Sequence, residues 1–199
     1  MDERSTARLE AFSDGVFAIA ATVLVLEITV GSNEGGGLGS ALLHLWPSYL
    51  AYVTSFVTIG IIWMNHHHCV ETMARVDRTL LFLNILLLLT VAFLPFPTRL
   101  VAEYLQKDGE RAAVYAYDAT LVVMAIIYNV WWRYASSGRR LIAESVPESR
   151  IRAISRAFNP GPPTYALILV VAVFSPLASV VLTLALAAFY LPSSAFFER

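Results

Sequence analysis

Five apolar stretches, separated by shorter polar segments, follow one another along the chain. They cover residues 12–30, 46–64, 79–100, 112–134 and 164–191. About 20 apolar residues in helical conformation cross the roughly 30 Å hydrocarbon core of a bilayer, so each of the first four is long enough to be one membrane-spanning helix. The pattern therefore predicts an all-α integral membrane protein.

The fifth apolar stretch is interrupted by Ser175 and Pro176. Proline kinks or ends a helix, so this stretch is either one kinked helix or two helices joined by a tight turn. We expect the hairpin, in which the first helix also uses residues before Pro160. The chain is then a single six-helix domain, residues 1–199, with spans at about 6–30, 46–68, 77–100, 112–134, 155–174 and 176–191.

Basic residues are distributed unevenly between these spans. Two precede the first apolar stretch, none lies between the first and second stretches, two lie between the second and third, three lie at or beyond the end of the third, and six lie in residues 133–156. Cytoplasmic segments of membrane proteins carry the excess of lysine and arginine. We therefore expect a multi-pass protein with a cytoplasmic N-terminus, whose segment 133–156 contacts anionic lipid headgroups.

Composition narrows the class of function further. The 199 residues are 57% apolar and 15% charged, with a mean hydropathy of +0.63, which is outside the usual range of soluble domains. The net charge of −1 indicates no nucleic-acid partner, and the single cysteine, Cys69, excludes an intrachain disulfide. We find no catalytic triad order and no phosphate-binding glycine loop, so neither enzymatic activity nor a cofactor is expected.

The first span carries a stripe of residues at alternating steps of four and three. Small residues flank this stripe, which favours close contact with other helices in a membrane. If identical chains surround an axis, each position becomes a ring, and an apolar ring can gate a pore by dewetting while hydroxyls replace part of an ion's hydration shell. Alternatively, Ile19 and Leu26 are ordinary packing residues and Thr22 bonds back to its own helix. The stripe consists of Arg8, Phe12, Gly15, Ile19, Thr22, Leu26 and Thr29.

Asp14 is a carboxylate near the inner end of this first span. Ser13 or Asp14 could cap the helix. The stripe starts earlier, however, at Arg8, so the helix already includes Asp14 and extends more than one turn before it. Ionisable groups in a span are costly and need partners. The expected topology brings polar residues of the second and third spans to the same membrane side, where they can form a buried network. These candidates are Trp63, Asn65, His66, His67, His68 and Asn84.

The three consecutive histidines do not predict a metal site. Adjacent helical residues point in directions about 100° apart and do not share one ion easily, and no other ligand spacing accompanies them. Imidazole titrates near neutral pH, so proton sensing is an alternative to a purely hydrogen-bonding role.

The residues Arg8, Phe12, Ser13 and Asp14 form the pattern RxxxFSD, which resembles the signature of the lysosomal potassium channel family, transmembrane protein 175 and its prokaryotic relatives. The strings WMNHHH, at 63–68, and VDRTLLFLNILLLLTVAFLPFP, at 76–97, are similar to the prokaryotic branch in order and spacing. The resemblance covers about the first 100 residues well.

This resemblance implies a six-helix subunit whose first helix lines a cation pore without the TVGYG filter of ordinary potassium channels. It implies that Ile19 forms the narrow constriction, that Thr22 and Leu26 also face the pore, and that a potassium ion passes near Thr22. It further implies that the motif residues join the pore helix to spans two and three. A chain with one copy of the motif should assemble as a homotetramer in the cytoplasmic membrane of a prokaryote.

Two other functions remain open from the residues. A proton-coupled carrier would use Asp14 and the His66–His68 cluster as titrating groups. A membrane scaffold without transport would need neither.

Overall fold

The computed structural model of the chain describes residues 3–30 and 37–194, and the side chains of residues 6–30 and 37–190. Helices occupy nearly all of these ranges, which confirms the all-α class. In chain order they are α1 (Glu3–Val23), continued by a 3-10 turn (Leu24–Glu27), α2 (Gly37–His44), α3 (Trp46–Glu71), α4 (Arg78–Phe93), α5 (Pro95–Tyr104), α6 (Glu110–Ser136), α7 (Glu148–Phe158), α8 (Gly161–Phe174) and α9 (Pro176–Ser194).

Five helical segments of the described chain are long and apolar enough to cross a membrane. They are Thr6–Glu27, Trp46–Glu71, Arg78–Tyr104, Glu110–Arg139 and Glu148–Phe174, and a shorter apolar helix covers Pro176–Tyr190. The third combines α4 and α5, which are separated only at Leu94, directly before Pro95, although Leu94 keeps helical φ and ψ of −55° and −35°. The fifth combines α7 and α8, which are separated by a turn at Asn159 and Pro160.

The chain reverses direction at Ser175. This residue has an extended backbone, with φ of −149° and ψ of 102°, and its Oγ accepts a hydrogen bond from the Ala178 N–H at 3.3 Å. Tyr165 in α8 and Tyr190 in α9 line the same cavity, although each lies well away from the turn along its own helix. Helices α8 and α9 therefore form an antiparallel hairpin and not one kinked helix.

The long helices pack in a closed ring, in which α1 lies between α3 and α4. Helix α3 also packs on α9, α9 on α8, α8 on α6, and α6 on α4, while α5 lies between α3 and α6. Contacts also cross the interior between α3 and α6, including Ser55 with Tyr117 and Cys69 with Tyr128. Because α1 is held on two sides only, one of its faces is left outside the bundle.

Candidate pore-lining face and the network behind it

Helix α1 has a buried face and an exposed face. The buried face consists of Leu9, Ser13, Phe17 and Ala20, followed by Leu24 in the 3-10 turn. The stripe found in the sequence lies on the opposite face: Phe12, Ile19 and Leu26 are 62%, 65% and 70% exposed. Its remaining members, Arg8, Gly15, Thr22 and Thr29, are exposed as well. A single subunit therefore leaves the entire stripe uncovered.

The hydroxyl of Thr22 donates back to its own helix. Its Oγ1 lies 2.9 Å from the Ala18 carbonyl oxygen and 3.0 Å from that of Ile19. A hydroxyl has one hydrogen to donate and two lone pairs that accept. Donation to the helix therefore fixes the side chain and leaves the oxygen available, on the exposed face, to a cation or to water.

Gly15 supplies a flat position on the same face. A Cβ built at this residue meets no heavy atom within 4 Å, so the packing of the subunit itself does not require glycine here. Small residues let the backbones of membrane helices approach closely, and Gly15 leaves this part of the exposed face open.

Behind the stripe, Asn84 of α4 connects α1 to α3. Its Nδ2 donates to Ser13 Oγ at 3.0 Å, and its Oδ1 accepts from His66 Nε2 at 2.8 Å. Ser13 in turn donates to the Leu9 carbonyl oxygen at 2.8 Å. The side chains of Ser13, His66 and Asn84 are all buried. The ring of His66 is also stacked on Trp131 of α6, with 4.9 Å between centroids.

Asp14 is held by Trp63. The indole Nε1 of Trp63, in α3, donates to Asp14 Oδ1 at 2.8 Å, so the carboxylate belongs to the contact between α1 and α3. Asp14 is partly buried and lies beside the exposed stripe. The structure thus brings together Ser13, Asp14 and Trp63 with the buried pair His66 and Asn84.

A second link between α1 and α3 was not found from the sequence. His67 Nδ1 lies 2.6 Å from Glu10 Oε1, and its Nε2 lies 3.5 Å from Glu71 Oε1. Glu10 and Asp14 are four residues apart on α1, and Trp63 and His67 are four residues apart on α3, so the two links are successive rungs between antiparallel helices. The equal spacing in the two helices is the sequence signal that could have indicated this pairing.

The remaining candidates lie elsewhere. Arg8 and Phe12 are exposed on the stripe and point away from the network. Asn65 lines a cavity of about 100 Å³ between α3, α6, α8 and α9, on another side of α3, so it is not part of the chain through Asn84. His68 lies 4.0 Å from Glu71. Among residues 3–30 and 37–194, no group of three or more histidine, cysteine, aspartate or glutamate residues is arranged to hold a metal ion.

The connection from α3 to α4 anchors the inner end of this region. Asp77 caps α4 by accepting from the Leu80 N–H at 2.8 Å, and it also accepts from the Tyr134 hydroxyl at 2.7 Å. Desolvation disfavours the charged form of Asp77, but these hydrogen bonds and the nearby charge of Arg140 prevail and lower the pKa of its carboxyl below the ordinary value. Asp77 is therefore anionic at neutral pH.

At the other end of α1, Glu27 lies beside Arg99 of α5. Glu27 Oε2 is 3.7 Å from Arg99 Nε, and the arginine side chain is 60% exposed. Exposed ion pairs contribute little to stability. The main consequence of this contact is that a negative and a positive charge lie together at the end of the stripe.

The sequence is similar to a known protein family and to individual potassium channels. The family model described as "Endosomal/lysosomal potassium channel TMEM175" matches residues 8–95, which include most of α1 and all of α3 and α4 with the network. A potassium channel of Chamaesiphon minutus is 45% identical over 167 residues, covering 82% of each chain. A potassium channel of Streptomyces collinus is 48% identical over 152 residues, covering 73% of this chain and 74% of the relative.

A solved structure gives the same result for the fold. The crystal structure of a lysosomal potassium-selective channel TMEM175 homolog from Chamaesiphon minutus superposes with a TM-score of 0.87 at 41% identity, over 95% of this chain and 97% of that one. The likeness therefore extends into α9, beyond the residues that the family model matches. By sequence and by fold, this membrane protein belongs to the TMEM175 family.

Proposed function

We propose that the chain forms a homotetrameric, potassium-permeable channel in the cell membrane of a prokaryote, with α1 of each subunit lining a central pore. The observation that carries this proposal is the exposed stripe of α1. Exposed apolar faces also occur on α4 and α8, where they fit lipid. The stripe of α1 differs because it also carries Arg8, Thr22 and Thr29, and polar groups in a span favour a pore or other helices over lipid. A potassium-selective channel homologue shares the fold.

The proposed gate is a ring of Ile19, with a second apolar ring at Leu26. Four branched side chains around an axis form a constriction that dewets and so blocks a hydrated ion. Thr22, between the two rings, contributes four hydroxyl oxygens that replace part of the hydration shell of potassium. No TVGYG sequence occurs in the chain, so these side chains, and not a carbonyl filter, act on the ion.

The network behind α1 sets the position of these rings. Asn84 and Trp63 hold two adjacent residues of α1, Ser13 and Asp14, five or six residues before the proposed gate. Because α1 is a continuous helix from Glu3 to Val23, a rotation at Asp14 would rotate Ile19 by the same angle. Asp14 thus acts as an anchor of the pore helix and not as an ion ligand.

The proposed topology has six spans and a cytoplasmic N-terminus. Helix α9 contains 19 residues and is roughly 28 Å long at 1.5 Å per residue, which is close to the thickness of the hydrocarbon core. The positions of the basic residues support the orientation. The assembly requires no cofactor, and its ligands are permeant potassium, other monovalent cations and membrane lipids.

The proposal is tested by potassium efflux from liposomes that contain the purified protein, with a potassium gradient and a proton-permeable ionophore. Ile19→Asn should increase efflux, because a polar ring stays wet. Leu167→Asn is the matched control, since Leu167 lies on α8 and is 64% exposed against 65% for Ile19. Equal efflux from wild-type and Ile19→Asn protein would contradict the gate. Saturable flux with a fixed proton stoichiometry that is lost in Asp14→Asn would indicate a carrier, and absence of flux would indicate a scaffold.

A further inference from the structure

A carboxylate lies in the interior of the subunit, away from α1. Asp118 is about two turns into α6, and its side chain is 1% exposed. Its Oδ2 accepts a hydrogen bond from the hydroxyl of Ser179 in α9, a residue that is fully buried. The pore proposed above does not use this group.

Asp118 lacks the partners that a buried anion requires. Its Oδ1 is buried and has no hydrogen-bond partner within the described part of the chain, and no lysine, arginine or histidine of that part forms an ion pair with it. Asp77, by contrast, accepts two hydrogen bonds and lies near Arg140. A buried charge without an opposite charge or a full set of hydrogen bonds is strongly unfavourable, so one donated hydrogen bond does not compensate for ionisation at Asp118.

A group of buried hydroxyls lies next to Asp118 and begins with Tyr117. Tyr117 precedes it on α6 and accepts a hydrogen bond at 3.1 Å from Ser55 of α3. That serine also contacts Thr98 of α5 at 2.8 Å, and Tyr165 of α8 interacts with Tyr117. Serine, threonine and tyrosine hydroxyls are neutral at physiological pH, so none of them offsets a negative charge.

Thr183 is an additional unsatisfied group on the same face of α9. It lies one turn after Ser179, it is fully buried, and its Oγ1 has no hydrogen-bond partner among the described residues. The buried Thr54, Thr58 and Thr120 instead donate to the carbonyl four residues earlier. The hydroxyl of Thr183, one turn from Ser179, therefore does not donate to a carbonyl of its own helix.

We propose that Asp118 is a proton-binding site inside each subunit and that it carries its proton at neutral pH. The proton comes from bulk water and forms the O–H bond of a carboxylic acid, which leaves Oδ2 free to accept from Ser179 and gives Oδ1 a hydrogen instead of an uncompensated charge. Loss of this proton would place an unpaired anion between α6 and α9 and weaken their packing. The proposal rests on α6 being in the membrane and not on the pore.

Infrared spectroscopy of the purified protein in lipid tests this directly. Wild-type protein at neutral pH should show the carbonyl stretch of a protonated carboxylic acid, and this band should shift in D₂O. The band should be lost in Asp118→Asn and kept in Asp108→Asn, a control in an exposed turn. Ser179→Ala should keep the band but shift its frequency, because one hydrogen bond to the carboxyl is removed. Absence of the band in folded wild-type protein would overturn the proposal.

Thermal unfolding of the solubilised protein gives an independent readout. A group that is protonated in the folded state and ionised in the unfolded state stabilises at low pH and loses this contribution as pH rises through its folded-state titration. The unfolding temperature of wild-type protein should therefore decrease toward alkaline pH by more than that of Asp118→Asn. Equal pH profiles, or stability in wild type that depends on sodium and is lost in Asp118→Asn, would overturn the proposal, the latter in favour of a metal cation at this carboxylate.

Discussion

Replacement of Asn84 by leucine tests the network that holds the pore helix. Asn84 is 2% exposed and links Ser13 of α1 to His66 of α3 through two hydrogen bonds. The leucine side chain is similar in shape to that of asparagine but neither donates nor accepts a hydrogen bond. The substitution therefore removes the polar link and leaves the packing volume nearly unchanged.

The expected cost follows from the groups left behind. His66 is fully buried, and within the described residues its Nδ1 has no partner, so the ring loses the bond that satisfies Nε2. A buried polar group left unsatisfied costs about 1–3 kcal/mol, and a typical hydrogen bond contributes about 0.5–1.5 kcal/mol net. Ser13 keeps its bond to Leu9, so we expect a total of about 2–4 kcal/mol. For a chain of this length that is a decrease of roughly 4–16 °C in unfolding temperature.

The assay is thermal unfolding of the solubilised protein, with a double-mutant cycle. When both partners of a buried hydrogen bond become apolar, the penalty for the unsatisfied group disappears. Asn84→Leu combined with His66→Phe should therefore cost less than the sum of the two single substitutions. Strict additivity, or a decrease below 2 °C for Asn84→Leu, would refute the reasoning that this network is a coupled unit.

Three further predictions concern the surfaces around α1. His67→Gln removes the contact between His67 Nδ1 and Glu10 Oε1, so it should lower stability by about 1 kcal/mol or less, as measured by thermal unfolding, and Glu10→Gln in the same background should then cost little more; a full additional loss from Glu10→Gln would contradict the pairing. Gly15→Leu should leave the helical circular dichroism of the subunit unchanged but reduce the tetramer fraction in chemical crosslinking, and an intact tetramer would exclude close contact there. Wild-type protein should lose stability as pH falls through the lowered pKa of Asp77, and Asp77→Asn, which still caps the helix, should lose less; parallel profiles would contradict the hydrogen bonding described for that carboxyl.

The helical class and the stripe were predictable because both depend on local periodicity. Apolar length alone identifies the long helices, and the spacing of Ile19, Thr22 and Leu26 places them on one face of any α-helix. The hairpin at Ser175 was also expected, because proline cannot continue the preceding helix. The break at Asn159 was not expected, since the sequence around it reads as the polar beginning of the next span.

The partners within the network were predictable only in part. The sequence identifies which polar residues reach the same membrane side, but the register between α1 and α3 depends on packing that no local pattern encodes. A shift of one turn would pair Trp63 with Glu10 instead of Asp14. The equal spacing of Glu10 and Asp14 and of Trp63 and His67 allows two such links, but only the register selects Glu10 as the partner of His67. Asn65 lies on the cavity side of α3 because it is two residues, about 200° around the helix, from Trp63.

The most direct test of the account is water accessibility of the stripe during conduction. The natural Cys69 is fully buried, so a cysteine introduced at Leu26 is the main target for a membrane-impermeant, charged thiol reagent. If α1 lines the pore, the reagent should block potassium efflux in Leu26→Cys and leave efflux unchanged in Leu167→Cys on α8. Unaffected efflux from the modified Leu26→Cys protein, or equal block in both variants, would contradict a pore lined by α1.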